Sequence, residues 1–312
     1  MISSDLFLQT TADCFFNSRT KYYIGSDGEL VPYEMMVCNR QVFSDGGNEL
    51  SDYSRLMQYH DEYIAAHEEL FGDQPASRCK PYEPRKLTKS ELLDASRRRA
   101  RRKIFDYCIC NDFDLFVTLT LDPELIDRSD YSAVIKKLTN FLGNRVKRRG
   151  LKYIGVPEYH NNGGLHFHFL TTSCGFELKD SGTVSIEGKK KPIKISTAKR
   201  QRIPESEWHT VYNVADWRLG FSTAIYTYGS RGAVAQYMSK ELCKSVQKAL
   251  VANGSIDKIG GRWYYHGGDL KKPVVRFCNV NFADMGQYSY DLHTDGGEFK
   301  VYKFDENGVI LR

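Results

Sequence analysis

Two histidines separated by one residue stand in a stretch with the composition of a β-strand. His166 and His168 flank Phe167 within the run Leu165–Thr172. Because successive side chains of a strand point to opposite faces, both imidazoles are expected on one face and Phe167 on the other. Two imidazoles held side by side form half of a divalent-metal site. The H-x-H pattern alone is not specific, since packed or exposed histidines explain it about as often.

A carboxylate in the preceding segment can complete this site. Glu158 lies eight residues before His166, in a strand predicted over Lys152–His160, and Asn161–Gly164 is typical of a hairpin turn. A three- or five-residue loop would place Glu158 opposite His166, whereas a two-residue turn would place Tyr159 there. Glutamate with two histidines suits Mn²⁺ or Zn²⁺ better than Mg²⁺, although an available metal can override affinity. The sequence therefore predicts a three-ligand site for a divalent metal.

A tyrosine and a lysine form a second candidate centre on a helix predicted over 231–250. Tyr237, Lys240 and Lys244 share one face of that helix. A tyrosine beside two lysines is commonly surface decoration. Next to a metal site, however, the phenol gains a mechanism, because a cation stabilises the phenolate and a metal polarises a phosphodiester. Lys240 would then stabilise the negative charge of the transition state.

The segments around these residues indicate an α+β fold with a central antiparallel sheet flanked by helices. A β-branched strand is followed by an amphipathic helix, the hairpin, a polar insert, another strand and the tyrosine helix. Two further strands are predicted in the tail. These segments are Phe116–Leu121, Ser129–Arg149, the insert 175–205, Asp216–Tyr228, Pro273–Val280 and Phe299–Phe304.

Basic residues are concentrated in one predicted helix. The net charge is +5, but residues 1–77 carry 13 acidic and 4 basic side chains, so the remainder carries +14. Between 78 and 103 there are 11 basic and 3 acidic residues, and a helix is predicted over Ser90–Cys108. Like charges at this density repel unless phosphates compensate them. The residues expected to contact DNA are Arg97, Arg98, Arg99, Arg101, Arg102, Lys103 and Lys244.

Composition excludes several other classes of protein. No window approaches the roughly 18 apolar residues of a membrane span, and the amino terminus does not have the pattern of a signal peptide. We therefore expect no membrane partner. The eight cysteines lack zinc-finger spacing, which favours reduced thiols. No G-x-x-x-x-G-K-[ST] motif occurs, so a helicase is expected to be a separate protein.

Three motifs together resemble those of the HUH endonucleases, specifically the rolling-circle replication initiators of small single-stranded DNA phages and related plasmids. FVTLTLDP at Phe116–Pro123 is similar to the first family motif. EYHNNGGLHFH at Glu158–His168 is similar to the metal-binding second motif, and YMSK at Tyr237–Lys240 is similar to the third, Y-x-x-K. The resemblance covers roughly residues 113–250.

The resemblance implies an enzyme with Tyr237 as nucleophile, Lys240 as its helper and Mn²⁺ or Mg²⁺ as cofactor. It would nick single-stranded origin DNA, leaving a 5′-phosphotyrosine bond and a free 3′-hydroxyl. Host helicase and polymerase are the implied partners, in the host bacterial cytoplasm. Some phage initiators carry a second tyrosine four residues after the first, but Glu241 stands there, so a single-tyrosine enzyme is expected.

The expected organisation has four parts. These are an acidic N-terminal extension at 1–77, a basic linker and helix at 78–112, a nuclease core at 113–250 containing the insert, and C-terminal strands at 251–312 packing on or beside the core.

Three alternatives stay open at this point. One is a relaxase or transposase of the same fold, which shares the chemistry but acts on other DNA ends. Another is a non-catalytic origin binder or repressor in which the histidines are structural. The third is an RNA-binding protein with an incidental H-x-H pattern.

Overall fold

The computed structural model describes residues 15–25, 27–44, 88–128, 130–159, 165–189, 191–228, 231–240, 242, 261–294 and 297–311. Contacts divide the chain into two compact units, one formed by 1–86 with 273–312 and the other by 87–272. This division differs from the predicted organisation, in which the two ends of the chain were separate parts. The reason is long-range strand pairing, because strands from both ends share one sheet.

The described residues form an α+β protein, as predicted, with all recorded strand pairs antiparallel. The strands are β1 Phe15–Phe16, β2 Ser18–Ile24, β3 Leu30–Cys38, β4 Phe43–Ser44, β5 Leu115–Thr120, β6 Tyr153–Tyr159, β7 Leu165–Thr171, β8 Leu178–Ile186, β9 Ile193–Lys194, β10 Trp208–Val214, β11 Ser222–Tyr226, β12 Tyr265–Gly267, β13 Val274–Cys278, β14 Tyr290–Thr294, β15 Gly297–Phe304 and β16 Ile310–Leu311. The helices are α1 Lys89–Cys110, α2 Tyr131–Arg149, α3 Ile195–Arg200 and α4 at 231–240.

The first unit is built on a sheet with the order β13-β2-β3-β15-β14, and β16 pairs with the outer part of β15. The short strands β1 and β4 form a separate pair. Buried side chains of β2, β3 and β15 make its core, among them Tyr23, Tyr33, Val37, Val301 and Tyr302.

The second unit is built on an eight-stranded sheet with the order β12-β6-β7-β5-β11-β10-β8-β9. The predicted first strand and the predicted hairpin are its β5, β6 and β7. On β5 the burial alternates from Leu115 to Thr120, as expected for a strand whose two faces meet different surroundings. One face of these strands therefore belongs to the main hydrophobic core, and the other carries polar side chains.

Helix α2 covers the apolar face of this sheet. Its buried residues Val134, Leu138 and Leu142 recur at helical spacing and join the core that contains Phe167 and Phe169. The helix begins where the Asp130 side chain accepts a hydrogen bond from the N–H of Ala133 at 3.0 Å. It ends at Gly150, whose φ of 66° is left-handed and suits glycine.

The predicted polar excursion at 175–205 is wrong, because this segment contributes strands to the sheet. Strand β8 pairs with β10 from Leu178 to Ile186 and with β9 on its other side. Val184, Ile186 and Ala198 form a small core of their own. Asp180 and Gly182 interrupt the apolar alternation, which hid the strand in the sequence. The predicted strand Asp216–Tyr228 is shorter than expected, since β11 is preceded by the turn that follows β10.

Helix α1 confirms the predicted basic helix and is slightly longer than expected at both ends. Thr88 and Glu91 form a capping box at its start. Ala100, Ile104 and Tyr107 are buried at helical spacing, so one face packs while the arginine-rich face stays outside. Among the described residues no helix is long and apolar enough to cross a membrane. The five cysteines in these ranges are free thiols.

Candidate metal centre

Strand register places the predicted metal ligands in neighbouring positions. On the β6–β7 ladder Glu158 lies opposite His166, and Val156 lies opposite His168. Tyr159 pairs with Leu165, so five residues separate the strands, one of the two loop lengths that put Glu158 opposite His166. The predicted turn Asn161–Gly164 lies outside the described residues.

The three side chains converge on one point. The Nε2 atoms of His166 and His168 lie 2.7 Å and 2.6 Å from the same carboxylate oxygen, Oε2 of Glu158. The candidate ligand atoms all lie within 4.8 Å of one another. Glu158 is only 3% exposed. The two imidazoles are nearly as enclosed, so a small ion bound here would be largely shielded from solvent.

The surroundings of these side chains fit a divalent cation. A buried carboxylate needs compensating charge, and an imidazole binds metal through an unprotonated nitrogen. Nδ1 of His168 lies 3.1 Å from Oγ1 of Thr118 on β5. In the tautomer with its proton on Nδ1, His168 donates to Thr118 and presents the lone pair of Nε2 toward Glu158. The three residues thus form a candidate metal site, as predicted, without distinguishing Mn²⁺ from Mg²⁺.

The predicted nucleophile lies on the same side of the sheet as this cluster. The ring of Tyr237 on α4 meets the ring of Phe116 edge-on at 5.2 Å between centroids. Phe116 in turn stacks on His168 at 5.7 Å. Buried Ala235 and Met238 fix the opposite face of α4, while Tyr237 is 44% exposed. The phenol is therefore held close to the metal cluster and stays accessible.

Lys240 and Lys244 have different standing. Lys240 is exposed and lies three residues after Tyr237 in α4, so the two side chains share a helix face. Lys244 lies outside the described residues, and its predicted DNA contact stays a prediction.

The basic face of α1 is uneven in its availability. The half-buried side chain of Arg97 contacts Asp94, and Arg98 lies 3.6 Å from the same carboxylate. The remaining predicted DNA-contacting residues of α1 are exposed, namely Arg99, Arg101, Arg102 and Lys103.

Sequence reasoning missed two cations that enlarge this basic surface, Arg262 and Lys272. Burial lowers the pKa of His266 on β12, and the charges of Arg262, Lys272 and Lys103 lower it further. His266 also stacks on Tyr107 of α1 at 5.2 Å. Positive charge from α1 therefore continues onto the segment around β12. The only sequence signal was the aromatic and basic composition of this segment.

Comparison with known proteins agrees with the motifs. A family model for the ORF2 type of replication-associated protein matches residues 114–242. This match confirms the predicted resemblance to a replication initiator and covers both the metal cluster and the tyrosine helix. No curated protein and no solved structure matches the chain.

Proposed function

Because residues 114–242 match the ORF2 type of replication-associated protein, we propose that this chain is an initiator endonuclease of rolling-circle replication. It nicks single-stranded origin DNA by metal-dependent tyrosine transesterification. The observation that carries the proposal is the contact chain from Tyr237 through Phe116 to His168, which brings an accessible phenol near three converging metal ligands.

The reaction exchanges one ester bond for another. The phenolic oxygen of Tyr237 attacks the scissile phosphorus, and a bond from phosphorus to this oxygen forms as the bond to the 3′-oxygen breaks. The departing 3′-oxygen takes up a proton and becomes the free 3′-hydroxyl. The phosphate stays joined to the 5′ side of the cut as a phosphotyrosine. The number of phosphate esters is unchanged, so the step needs no external energy source.

Each residue of the site has a separate part in this chemistry. Glu158, His166 and His168 would hold Mn²⁺ or Mg²⁺, which when bound polarises the scissile phosphate. Thr118 orients the ring of His168. Lys240 supplies positive charge for the phenolate of Tyr237 and for the transition state.

The remaining partners follow from the product. The free 3′-hydroxyl is a primer for a host polymerase, and a host helicase would unwind the duplex ahead of it. The host bacterial cytoplasm is the proposed location. The exposed cations of α1 would contact DNA phosphates without reading sequence.

The decisive experiment looks for a covalent adduct. The purified chain is incubated with Mn²⁺ or Mg²⁺ and a broad pool of labelled single-stranded oligonucleotides, then separated under denaturing conditions. A labelled protein band is expected for the wild type and for Tyr228→Phe, a control at another exposed tyrosine. Tyr237→Phe should lose the band and keep DNA affinity. Tight binding without any adduct would instead favour the non-catalytic origin binder.

Lys240→Ala tests the proposed role of the lysine. We expect adduct formation to slow by about 10- to 100-fold, because one charge that stabilises the transition state is lost. DNA affinity should change little, and Lys240→Arg should recover part of the rate. A wild-type rate for Lys240→Ala would remove this residue from the chemistry.

A further inference from the structure

One aromatic ring near the metal cluster is exposed to an unusual degree. Phe221 has 72% of its surface accessible, the highest value among the exposed large hydrophobic side chains of the described residues. A single exposed apolar residue normally needs no explanation. Two further observations distinguish Phe221, namely the rigidity of its backbone and its position relative to the metal ligands.

The backbone that carries Phe221 is tied to the end of β5. The carbonyl of Phe221 accepts the N–H of Thr120 at 2.8 Å, and the carbonyl of Leu219 accepts the N–H of Asp122 at 2.9 Å. The indole N–H of buried Trp217 donates to the carbonyl of Thr120 at 3.2 Å. Gly220 fits against this strand end with a φ of 144°, where an added Cβ would lie 2.4 Å from the Thr120 oxygen. The ring therefore projects from a fixed support.

Strand register puts this ring on the face of the metal cluster. Thr118 pairs with both His168 on β7 and Thr223 on β11. Continuing the β5–β11 register by one residue places Phe221 opposite Thr120, which pairs with His166 on its other side. Neighbouring strands are about 4.8 Å apart, so two strand spacings, roughly 10 Å, separate the backbones of His166 and Phe221.

The surroundings of Phe221 on this face are polar. The neighbouring side chains in the sheet are Thr120 and Thr223, of which Thr223 is exposed. A hydrophobic protein partner would be expected to use a wider apolar patch. A planar base needs only one ring on which to stack, and such stacking tolerates any sequence.

We propose that Phe221 is a stacking platform for an unpaired base of the DNA strand, roughly one or two nucleotides from the scissile phosphate. This inference rests on the proposed nuclease function and adds a positioning residue to it. The ring holds a base beside the metal cluster, so that the adjoining phosphate stays near Tyr237. Its role is to orient the strand, and it takes no part in bond exchange.

The test measures binding separately from cleavage. In a Tyr237→Phe background with Mn²⁺ present, affinity for a labelled oligothymidylate is measured by fluorescence anisotropy. Phe221→Ala should weaken binding by about 5- to 100-fold, the usual range for loss of one stacked base. Phe221→Trp should bind within about two-fold of the parent, and Phe221→Leu should behave like Phe221→Ala because it lacks a ring. Tyr228→Ala, at another exposed aromatic of the same unit, should change affinity little.

Three outcomes would overturn the platform. They are unchanged affinity for Phe221→Ala, full affinity for Phe221→Leu, and an equal loss for Tyr228→Ala. Sedimentation of the same variants checks whether the ring serves self-association instead. The result is separable from the adduct experiment. Adduct formation with normal binding by Phe221→Ala rejects only the platform, whereas weakened binding without any adduct rejects only the nuclease.

Discussion

Two enclosed glutamates lie on antiparallel sheets of this molecule, and their neighbours give them different tasks. Glu34 on β3 of the first unit is surrounded by permanent cations: Arg19 lies 3.3 Å away, and Lys303 forms a close ion pair with it. Glu158 on β6 of the second unit faces two imidazoles instead. Both carboxylates are shielded from solvent, so the difference lies in the partners.

The partners determine whether charge remains available for a ligand. Burial raises the pKa of Glu34, but the hydrogen bond and charge of Lys303, together with Lys21 and Arg19, outweigh this and hold it below its usual value of 4.5. That carboxylate is already neutralised. Imidazoles can instead be uncharged and offer lone pairs, so Glu158 keeps a negative charge that a divalent cation can satisfy. A buried glutamate therefore indicates a metal site only when its neighbours are themselves ligands.

The largest effect is expected from removing an imidazole. His166→Ala or His168→Ala should lower metal-dependent adduct formation by at least about 100-fold, because one of three ligands is lost. Initial rates are measured over a range of Mn²⁺ concentrations, and circular dichroism confirms the fold. His293→Ala, an exposed histidine of the first unit, serves as the control. If either variant at the cluster cut DNA at the wild-type rate, the metal assignment would be wrong.

A smaller effect is expected from the residue that orients His168. Thr118→Val should weaken Mn²⁺ binding by about 10- to 100-fold, because the hydroxyl partner of Nδ1 disappears while the shape is kept. Thr118→Ser retains a hydroxyl and should restore most of the affinity. Isothermal titration with Mn²⁺ measures both without DNA. Equal affinities for the valine and serine variants would mean that this hydrogen bond does not tune the site.

The sequence predicted the chemistry of the second unit better than its geometry. Strand period alone put His166 and His168 on one face, but the partner of His166 depended on a loop length that composition does not determine. The contact of Tyr237 with Phe116 joins a late helix to an early strand. No local pattern contains such information, because it arises when the sheet assembles.

Two other features were hidden for identifiable reasons. Strand β8 has Asp180 and Gly182 at positions where an alternating strand would be apolar, since that part of it is exposed. The sheet of the first unit pairs β2 with β13 from the opposite end of the chain. Charge counting described the N-terminal segment as acidic, although β2 contributes the cations Arg19 and Lys21 that surround Glu34.

Replacing the other glutamate should affect stability and spare chemistry. Glu34→Gln should cost about 1–2 kcal/mol of unfolding free energy at neutral pH, because half-buried cations lose their counter-charge. Urea unfolding measures this loss, and Glu29→Gln at an exposed position is the control. Adduct formation should be unchanged. A loss of nicking without a loss of stability would contradict the division of tasks between the two glutamates.

The pH dependence of this contribution has a defined sign. The folded-state pKa of Glu34 is lowered, so its stabilisation is complete above about 4.5 and disappears as the pH falls from there through the lowered pKa. The wild type should therefore lose more stability than Glu34→Gln between neutral pH and acid. Parallel curves for the two proteins would show that this carboxylate contributes nothing to acid sensitivity.

The cations of α1 extend the comparison to charge that is not enclosed. Arg97 is half-buried against Asp94, whereas Arg101 and Arg102 are exposed. Each cation that meets a phosphate of single-stranded DNA contributes about 0.7 to the slope of log affinity against log salt. Arg101→Gln with Arg102→Gln should thus reduce the slope by up to about 1.4, and Arg97→Gln should reduce it less because Asp94 already occupies that charge. Titrations of oligothymidylate at several salt concentrations give the slopes. Equal reductions for the paired and the exposed arginines would mean that ion pairing within α1 does not limit its contact with DNA.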